Sequence, residues 1–329
     1  MSDGPDPPAV DLDAIDVEPR RRTDALRRGA RRLLGDRLAV VGLLGLALVV
    51  TVAVAGPLLA PHGADWTAPG DGQIVERDGE FVEVGVVHPA PPAFGDLTGD
   101  AYLAPLGTDA VGHGVLSRLL HGAPAALGIA LAAGVLSTLV GVPLGLVSGF
   151  YAGSWVDEGV SRLVDVALAV PLVPLVAVLV TATGGVTTTL VVLAIVGKAW
   201  LNNAVVVRGE VLSLREERYV DAARVAGASD ARILARHVLP NVAPLAVIYL
   251  AQDAALAVLI QANLAVIGLA DPGTLSWGTM LQAVGAAGAR YVVTAPWWAL
   301  PPAAMITLLA ASFYLLAYGV EDVADPHRR

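Results

Sequence analysis

The sequence contains no cysteine, a single lysine and few charged side chains. The lack of cysteine excludes disulfide bonds, thiol catalysis and cysteine-based metal sites. Only 16% of the residues are charged, whereas an average soluble domain has about 25%. Hydrophobic residues make up 55% of the chain, and the mean hydropathy is +0.66. This balance predicts a membrane protein.

Motifs of common enzyme classes are missing as well. The six histidines show no HExxH or similar spacing, and no nucleophile–base arrangement is visible. The dipeptide Gly197-Lys198 lacks the upstream glycine of a phosphate-binding loop and is followed by alanine instead of serine or threonine. We therefore expect a chain that is not an enzyme and that does not bind ATP through a P-loop.

Six segments have the length and apolarity of a transmembrane helix, which needs about 20 mainly apolar residues. They are Leu38–Ala60, Ala123–Leu146, Leu163–Thr183, Thr188–Val207, Val242–Asn263 and Trp297–Tyr318. The sequence thus predicts an all-α membrane protein with six spans. The first 36 residues hold no apolar stretch of a signal peptide, so we expect the first segment to remain as a span.

The distribution of arginine predicts the orientation, because cytoplasmic loops retain positive charge. If the N-terminus is cytoplasmic, seventeen of the twenty arginines lie inside and three, Arg77, Arg118 and Arg290, lie outside. We then expect a cytoplasmic tail (1–37), a first span (38–60), an external loop (61–122), a five-helix core (123–319) and a cytoplasmic C-terminal tail (320–329).

The external loop carries nine acidic residues and two arginines. Within it, QIVERDGEFVEVG alternates apolar and polar residues on both sides of Asp78-Gly79, a dipeptide suited to a tight turn. The pattern predicts a small β-hairpin, with a solvated loop as the alternative. We assign no function to the surrounding insertion at 70–86.

Small residues and prolines mark two of the spans. Gly141, Gly145 and Gly149 lie on one face of the second span, where another helix can approach closely. That helix belongs either to the same chain or to another subunit. Pro171 and Pro174 each remove a backbone donor from the third span, which we expect to be kinked or interrupted. The interruption is either a pathway-lining feature or a structural kink.

The stretch DAARVAGASDARILARHVLPN (221–241) is polar and lies between two spans. Its alanines form a helix with small side chains, Gly227 interrupts that helix, and Ser229 and Asp230 can begin a second one. Pro240 is expected to end the second helix, and Asn241 to cap the fifth span. The product is a helix–bend–helix elbow, which either binds a partner or rests on anionic lipid headgroups.

This stretch resembles the EAA loop of ABC importer permeases, whose pattern is EAA, three residues, Gly, nine residues, Ile, any residue, Leu-Pro. The positions that match it at the correct spacing are Ala222, Ala223, Gly227, Leu239 and Pro240. Asp221 stands where glutamate is usual, and His237 where isoleucine is usual. Both departures are mild.

Further segments resemble the C-type permease subunit of dipeptide, oligopeptide and nickel importers. They are LGTDAVGHGVLSRLLHGA (106–123), RLVDVALAVP (162–171), VLSLREERYVDAARVAGASD (211–230) and SWGTML (276–281). His113 and Gly114 depart from that branch, which usually has arginine and aspartate there. No role of that pair is therefore carried over.

The resemblance implies a type I ABC importer permease that carries peptides and works in a complex. The implied partners are two cytoplasmic ATP-binding subunits, a second homologous permease subunit and an external solute-binding protein, with the acidic loop and SWGTML as candidate docking surfaces. ATP and magnesium would be bound by the partners, with no cofactor on this chain and no nucleic acid. The implied coupling loop is cytoplasmic and spans 208–241 within the core. The implied coupling residues are Asp221, Ala222, Ala223, Gly227, Ser229, Asp230, His237, Leu239 and Pro240.

Polar residues within the spans leave a second hypothesis open. Lys198 and Asp253 lie inside predicted spans, where ionisable groups are costly and indicate an ion pathway by default. A proton-coupled secondary transporter is thus the alternative; otherwise the two residues form a structural pair, or the lysine extends to the membrane surface. The candidate pathway-lining residues are Pro171, Pro174, Lys198, Asn202, Gln252, Asp253 and Gln261. The amides among them either contact substrate or bridge helices.

Overall fold

The computed structural model describes residues 33–68, 73–77, 80–84, 88–92 and 104–324. Most of the described chain is helical, and five long apolar helices are each long enough to cross a bilayer. They are α1 (Arg37–Leu59), α2 (Val115–Phe150), α5 (Thr188–Leu214), α8 (Leu239–Val266) and α11 (Pro296–Ala324). These helices confirm the first, second, fourth, fifth and sixth predicted spans.

The third predicted span is broken into α3 (Trp155–Ala169) and α4 (Leu172–Thr183), which meet at 85°. Val170 and Pro171 between them have extended backbone conformations. Proline disfavours the helical conformation of the residue before it and has no N–H to donate, so the helix ends at this point. The predicted interruption is therefore present.

The remaining helices are short and lie between the spans. They are α6 (Arg218–Val225), α7 (Asp230–Ile233), α9 (Trp277–Ala287) and α10 (Tyr291–Thr294). A π-helical turn, Leu234–Val238, follows α7.

The predicted hairpin is also present, as β1 (Gln73–Arg77) and β2 (Glu80–Val84). The strands pair antiparallel, with Arg77 opposite Glu80 and Gln73 opposite Val84. The predicted turn residues Asp78 and Gly79 lie outside the described residues, as do the basic tail through residue 32 and the last five residues.

Two helices extend beyond the predicted spans. α2 begins at Val115, eight residues before the apolar segment, and its 36 residues are longer than a membrane requires. α11 continues to Ala324, past the predicted core boundary at 319. Hydropathy identifies the part of a helix that lies in the bilayer, whereas backbone hydrogen bonding continues for as long as the local sequence permits it.

The glycines of α2 pack this helix against α5. A Cβ atom added at Gly141 would lie 2.6 Å from the carbonyl oxygen of Trp200, and one at Gly145 would lie 2.6 Å from that of Ala204. At Gly149 the corresponding distance to the Arg208 carbonyl is 2.7 Å. The glycine face therefore serves close packing within this chain, and it is not free for another subunit.

Candidate functional site

In the structure the elbow comprises residues 218–238 instead of 221–241, and it packs its apolar side onto one end of the bundle. Val220, Ile233 and Val238 are fully buried there. They form a cluster with Phe150 at the end of α2, Val207 and Val211 in α5, and Val242 at the start of α8. Three spans thus hold the elbow, and its apolar side is covered by protein.

Gly227 produces the bend between the two halves of the elbow. Its φ of +82° is in the left-handed region, which glycine adopts without a Cβ penalty. The Gly227 N–H donates to the Arg224 carbonyl at 2.9 Å, and the Ala228 N–H donates to the Ala223 carbonyl at 3.0 Å. This pair of bonds is the Schellman motif that ends many helices. The predicted interruption at Gly227 is present.

The second half of the elbow differs from the sequence prediction in three ways. Ser229 occupies the N-cap position of α7, but its side chain makes no capping hydrogen bond. Pro240 does not end the helix, because the π-helical turn passes directly into α8 and places Pro240 in its first turn. The missing proline N–H is tolerated at that position. Asn241 lies within α8, and its Nδ2 donates to the His237 carbonyl at 2.6 Å instead of capping.

The outer side of the elbow is exposed. Val225 is 91% exposed, whereas the apolar side of the same helix is buried. Ala222, Ala226 and Gly227 beside it are also exposed. Small side chains around one projecting valine leave a surface that a second protein could approach closely.

An ion pair that the sequence analysis missed joins α3 to α5 near the elbow. Arg208 Nε donates to Asp157 Oδ1 at 2.6 Å, and an Arg208 terminal nitrogen donates to Oδ2 at 2.9 Å. Asp157 also accepts from Ser148 Oγ at 2.7 Å and from the Gly153 N–H at 3.0 Å. The two residues are 51 positions apart in the sequence. Each is a charged residue at the end of an apolar segment, and this pattern is too general to predict that they pair.

Lys198 reaches the break between α3 and α4. Its Nζ donates to the carbonyl oxygens of Ala167 at 2.6 Å and Val170 at 2.7 Å. Pro171 caps α4 and Pro174 lies in its first turn, so both candidate prolines are at the same place as the lysine.

Asp253 has a different set of partners. The carboxylate accepts from Ser137 Oγ at 2.5 Å and from Asn203 Nδ2 at 2.7 Å, and Asp253 is 5% exposed. These contacts join α2, α5 and α8. The pairing of Lys198 with Asp253 that the sequence allowed is therefore wrong.

The other candidate amides are divided between the interior and the surface. Gln261 is buried, and its Nε2 donates to Ser276 Oγ at 3.0 Å, so it bridges α8 and the start of α9. Asn202 is exposed and Gln252 is half-buried. Asn203 bridges helices, as described above.

Comparison with known proteins gives the family. Residues 141–329, more than half of the chain, match the family of binding-protein-dependent transport system inner membrane components. The chain belongs to this permease family. Residues 25–74 also match the N-terminal TM domain of oligopeptide transport permease C. The chain is therefore a multi-pass membrane permease, as the sequence predicted.

Relatives match over nearly the whole permease. The oligopeptide transport system permease protein OppC of Mycobacterium bovis is 31% identical over 307 residues, which cover 91% of this chain and 94% of that protein. A putative peptide transport system permease protein of Brucella abortus is 34% identical, over 90% of each chain. OppC of Bacillus subtilis is 30% identical, over 91% of this chain and 88% of that protein. The permease thus falls within the peptide and oligopeptide branch.

His113, which departs from the pattern of the resembled branch, has a structural role at the opposite end of the permease from the elbow. Asp109 is buried and accepts from His113 Nδ1 at 2.9 Å and from a terminal nitrogen of Arg118 at 3.0 Å. Gly114 is the N-cap of α2 and carries no capping side chain. His113 therefore helps to fold the loop onto the start of α2.

SWGTML is mostly buried in the permease. Ser276 and Thr279 form a capping box at the start of α9, and Trp277 is fully buried with its Nε1 donating to the Leu119 carbonyl at 2.9 Å. Met280 is also in the core. The prediction of a docking surface at this segment is wrong, because its large side chains point into the protein.

Asp271 ties the loop after α8 to the start of α5. Thr188 donates to its Oδ2 from both the backbone N–H and Oγ1, each at 2.9 Å. Hydrogen bonds from Thr188 and from the Gly273 N–H hold the pKa of Asp271 below its usual range. This contact fixes the turn between α4 and α5 to the same end of the bundle as α9.

Proposed function

We propose that this permease is one half of the translocation pathway of an ATP-driven peptide importer, and that its elbow couples it to a cytoplasmic ATPase subunit. The proposal rests on the observation that one side of the elbow is buried and the other is exposed. Its apolar side is buried against α2, α5 and α8, whereas Val225 and the small residues beside it face outward. A helix presented in this way suits a groove on a partner protein.

The orientation that goes with this proposal places both termini and the elbow in the cytoplasm. The arginine asymmetry supports it, because six arginines lie between Arg208 and Arg236. The loop at 61–122 and the short helices α9 and α10 are then external. In this arrangement the proposed domains are those expected from the sequence, and α2 and α11 extend past two of their boundaries.

Motion of the elbow would pass directly into the spans. The elbow cluster includes residues of α2, α5 and α8, and the Asp157–Arg208 pair adds α3 to the same end. When ATP binding draws two ATPase subunits together, each elbow would move with its subunit, and these four helices would move with the elbow. Alternating access then follows from rigid-body rocking of the bundle.

The proposed complex has four kinds of component. This chain and a second, homologous permease form the pathway, two ATP-binding subunits bind ATP and magnesium, and an external solute-binding protein delivers the cargo. The chain itself binds no cofactor and no nucleic acid in this proposal. Peptides are proposed as the cargo because the relatives are named for peptide or oligopeptide transport. Asn202 and Gln252 are the proposed polar contacts of the pathway.

The test compares two exposed valines at opposite ends of the helical bundle. Val225→Asp changes the outer side of the elbow, and Val293→Asp changes a valine that is 82% exposed in α10. Each variant is expressed with its native partners, purified from membranes in mild detergent and analysed by mass spectrometry and ATPase assay. We expect Val225→Asp to lose the ATPase subunits and keep the second permease, because a carboxylate in an apolar groove is costly.

Val293→Asp should retain the ATPase subunits and their activity. If Val225→Asp still purifies with a full complement of ATPase subunits, the elbow is not the coupling surface. If the wild-type chain purifies with no ATPase at all, the importer proposal itself fails.

A further inference from the structure

Lys198 contacts the carbonyl groups that the two prolines leave without a donor. In a continuous α-helix the N–H of residue 171 would donate to the carbonyl of Ala167, and the N–H of residue 174 to that of Val170. Both positions are proline and have no N–H. The Lys198 ammonium donates to these same two oxygens, at 2.6 Å and 2.7 Å.

The geometry of an ammonium group suits this task. It carries three donors and no acceptor, and it can bind several carbonyl oxygens at once. The Leu168 carbonyl lies 3.5 Å from the same nitrogen. A positive charge is also favourable at the C-terminal end of α3, where the carbonyl groups concentrate negative potential.

In a membrane, the contact between Lys198 and these carbonyl groups is favourable for the lysine and for the carbonyls. A carbonyl without a donor in the hydrocarbon region costs several kcal/mol, and a lysine without a partner there is costly as well. Because each group satisfies the other, a broken span and an intramembrane lysine can exist together. Lys198 is the only lysine in the sequence, so no neighbouring lysine could take its place.

One helix, α5, holds both halves of the broken span on either side of Lys198. Towards its C-terminal end, Leu201 and Ala204 pack with Val164 of α3. Towards its N-terminal end, Val191 and Ile195 pack with Val176 of α4. Lys198 lies between these two apolar contacts and holds the break itself.

We propose that Lys198 is a positioning residue that replaces the donors removed by Pro171 and Pro174 and fixes the 85° angle between α3 and α4 on α5. The angle is a property of this chain alone. Its consequence for transport rests on the proposed function: α5 also contributes Val207 and Val211 to the elbow cluster, so a movement of the elbow reaches the break through one continuous helix.

The experiment measures the angle with spin labels. The chain has no cysteine, so labels can be attached at Trp155→Cys in α3 and Ala182→Cys in α4, both exposed. At 1.5 Å per residue, the two backbone positions are about 30 Å apart across the bend and would be about 40 Å apart in a continuous helix. Double electron–electron resonance on the full chain in lipid nanodiscs distinguishes these distances.

Lys198→Met keeps the length of the side chain and removes its donors, whereas Lys198→Arg keeps donors and charge. We expect a narrow distribution near the bent distance for wild type and Lys198→Arg. Lys198→Met should give a broad distribution, because the prolines still prevent a continuous helix and nothing holds the carbonyls. A narrow, unshifted distribution in Lys198→Met would overturn the proposal, since packing and proline alone would then set the angle.

A second set of variants restores the backbone donors. Pro171→Ala with Pro174→Ala gives both carbonyls an N–H partner, so the distance should lengthen towards the continuous-helix value. In that background Lys198→Met should have little further effect on either the distance or the amount of protein in the membrane. If Lys198→Met alone fails to accumulate, this triple variant should accumulate; its failure would show that the lysine serves something other than these carbonyls.

Transport is measured separately in the complete complex with a labelled peptide. Lys198→Met should reduce uptake by about tenfold, the scale of coupling effects along connected helices, and Lys198→Arg should restore most of it. The distance measurement needs neither ATPase nor peptide. A shifted distance with unchanged uptake would therefore contradict the link between the break and transport and leave the positioning role intact, whereas a wild-type complex that takes up no peptide would contradict the proposed function.

Discussion

Three ionisable side chains within the permease have partners of three different kinds. Asp157 is bound by an arginine, Lys198 by backbone carbonyls, and Asp253 by a hydroxyl and an amide. In each case the partner lies on another helix, so the polar contact also fixes two helices relative to each other. Buried polar groups in folded proteins are almost always satisfied in this manner.

At this scale the clearest prediction concerns Asp157, which we compare with its neighbour Glu158. Asp157→Asn removes the charge from a carboxylate that receives five hydrogen bonds, and it leaves Arg208 with a weaker partner. We expect a loss of about 1.5–3 kcal/mol, the range for hydrogen bonds to charged groups, with the low end favoured because Arg208 is about a third exposed.

Thermal unfolding of the purified chain in detergent measures this difference. Glu158→Gln is the control, because Glu158 forms an ion pair with Arg162 in which both side chains are exposed. Such pairs contribute little to stability. The Tm of Asp157→Asn should fall by several degrees while that of Glu158→Gln stays within about one degree. Equal shifts in the two variants would contradict the structural role of the pair.

At the scale of elements, the contact between α2 and α5 depends on glycines at one-turn spacing. Gly141, Gly145 and Gly149 bring the two backbones close enough that no Cβ atom fits between them. Ser148 at the same helix end donates to Asp157 of α3, and Ser137 donates to Asp253 of α8. The same helix therefore carries the close contact with α5 and polar contacts to two other helices.

Two alanine substitutions in α2 separate the effect of close approach from that of helix propensity. Gly141→Ala places a Cβ atom 2.6 Å from the Trp200 carbonyl, which is backbone and cannot rotate away. We expect it to destabilise the chain by about 1–3 kcal/mol, as other overpacked substitutions do. Gly128→Ala meets no atom within 4 Å and should be neutral or slightly stabilising, because alanine is the better helix former.

The measurement is again the Tm in detergent, together with the amount of monodisperse protein. The prediction requires that the same chemical change in the same helix lowers the Tm at Gly141 and does not lower it at Gly128. If Gly141→Ala is as stable as Gly128→Ala, the two helices separate more easily than the structure indicates.

At the scale of the whole molecule, the chain has two ends with different chemistry. One end carries the elbow and the Asp157–Arg208 pair. The other carries the loop around Asp109, the Asp271–Thr188 contact and the buried SWGTML segment. If the elbow end faces the cytoplasm, as we propose, the two ends differ in the reagents that can reach them.

Cysteine labelling tests this orientation on a chain that has no cysteine of its own. Ser229→Cys lies on the exposed side of the elbow, and Pro272→Cys lies in the exposed turn after α8. A membrane-impermeant maleimide added to intact cells should react with Pro272→Cys alone, and inverted vesicles should give the reverse. Reaction of Ser229→Cys in intact cells would place the elbow outside and would contradict the positive-inside argument.

The elements whose causes are local could be predicted from the sequence. Apolar length predicted the spans, Pro171 and Pro174 predicted the break in the third, alternation around Asp78 predicted the hairpin, and Gly227 predicted the bend of the elbow. Each of these depends on the conformational preference or hydropathy of residues that are adjacent in the chain. The resemblance to permeases also rested on short segments, at 106–123, 162–171, 211–241 and 276–281.

The pairs of polar residues that meet could not be predicted in this way, because they depend on how the helices pack. Lys198 and Asp253 were correctly placed in spans, but their partners, Ala167 and Val170 for one and Ser137 and Asn203 for the other, are 28 to 116 positions away. The same is true of Asp157 and Arg208, and the continuation of the helix through Pro240 depended on a π-helical turn. Contacts of this kind depend on how each helix is rotated about its axis and how far it is shifted along its neighbours. Packing determines both, and hydropathy does not indicate either.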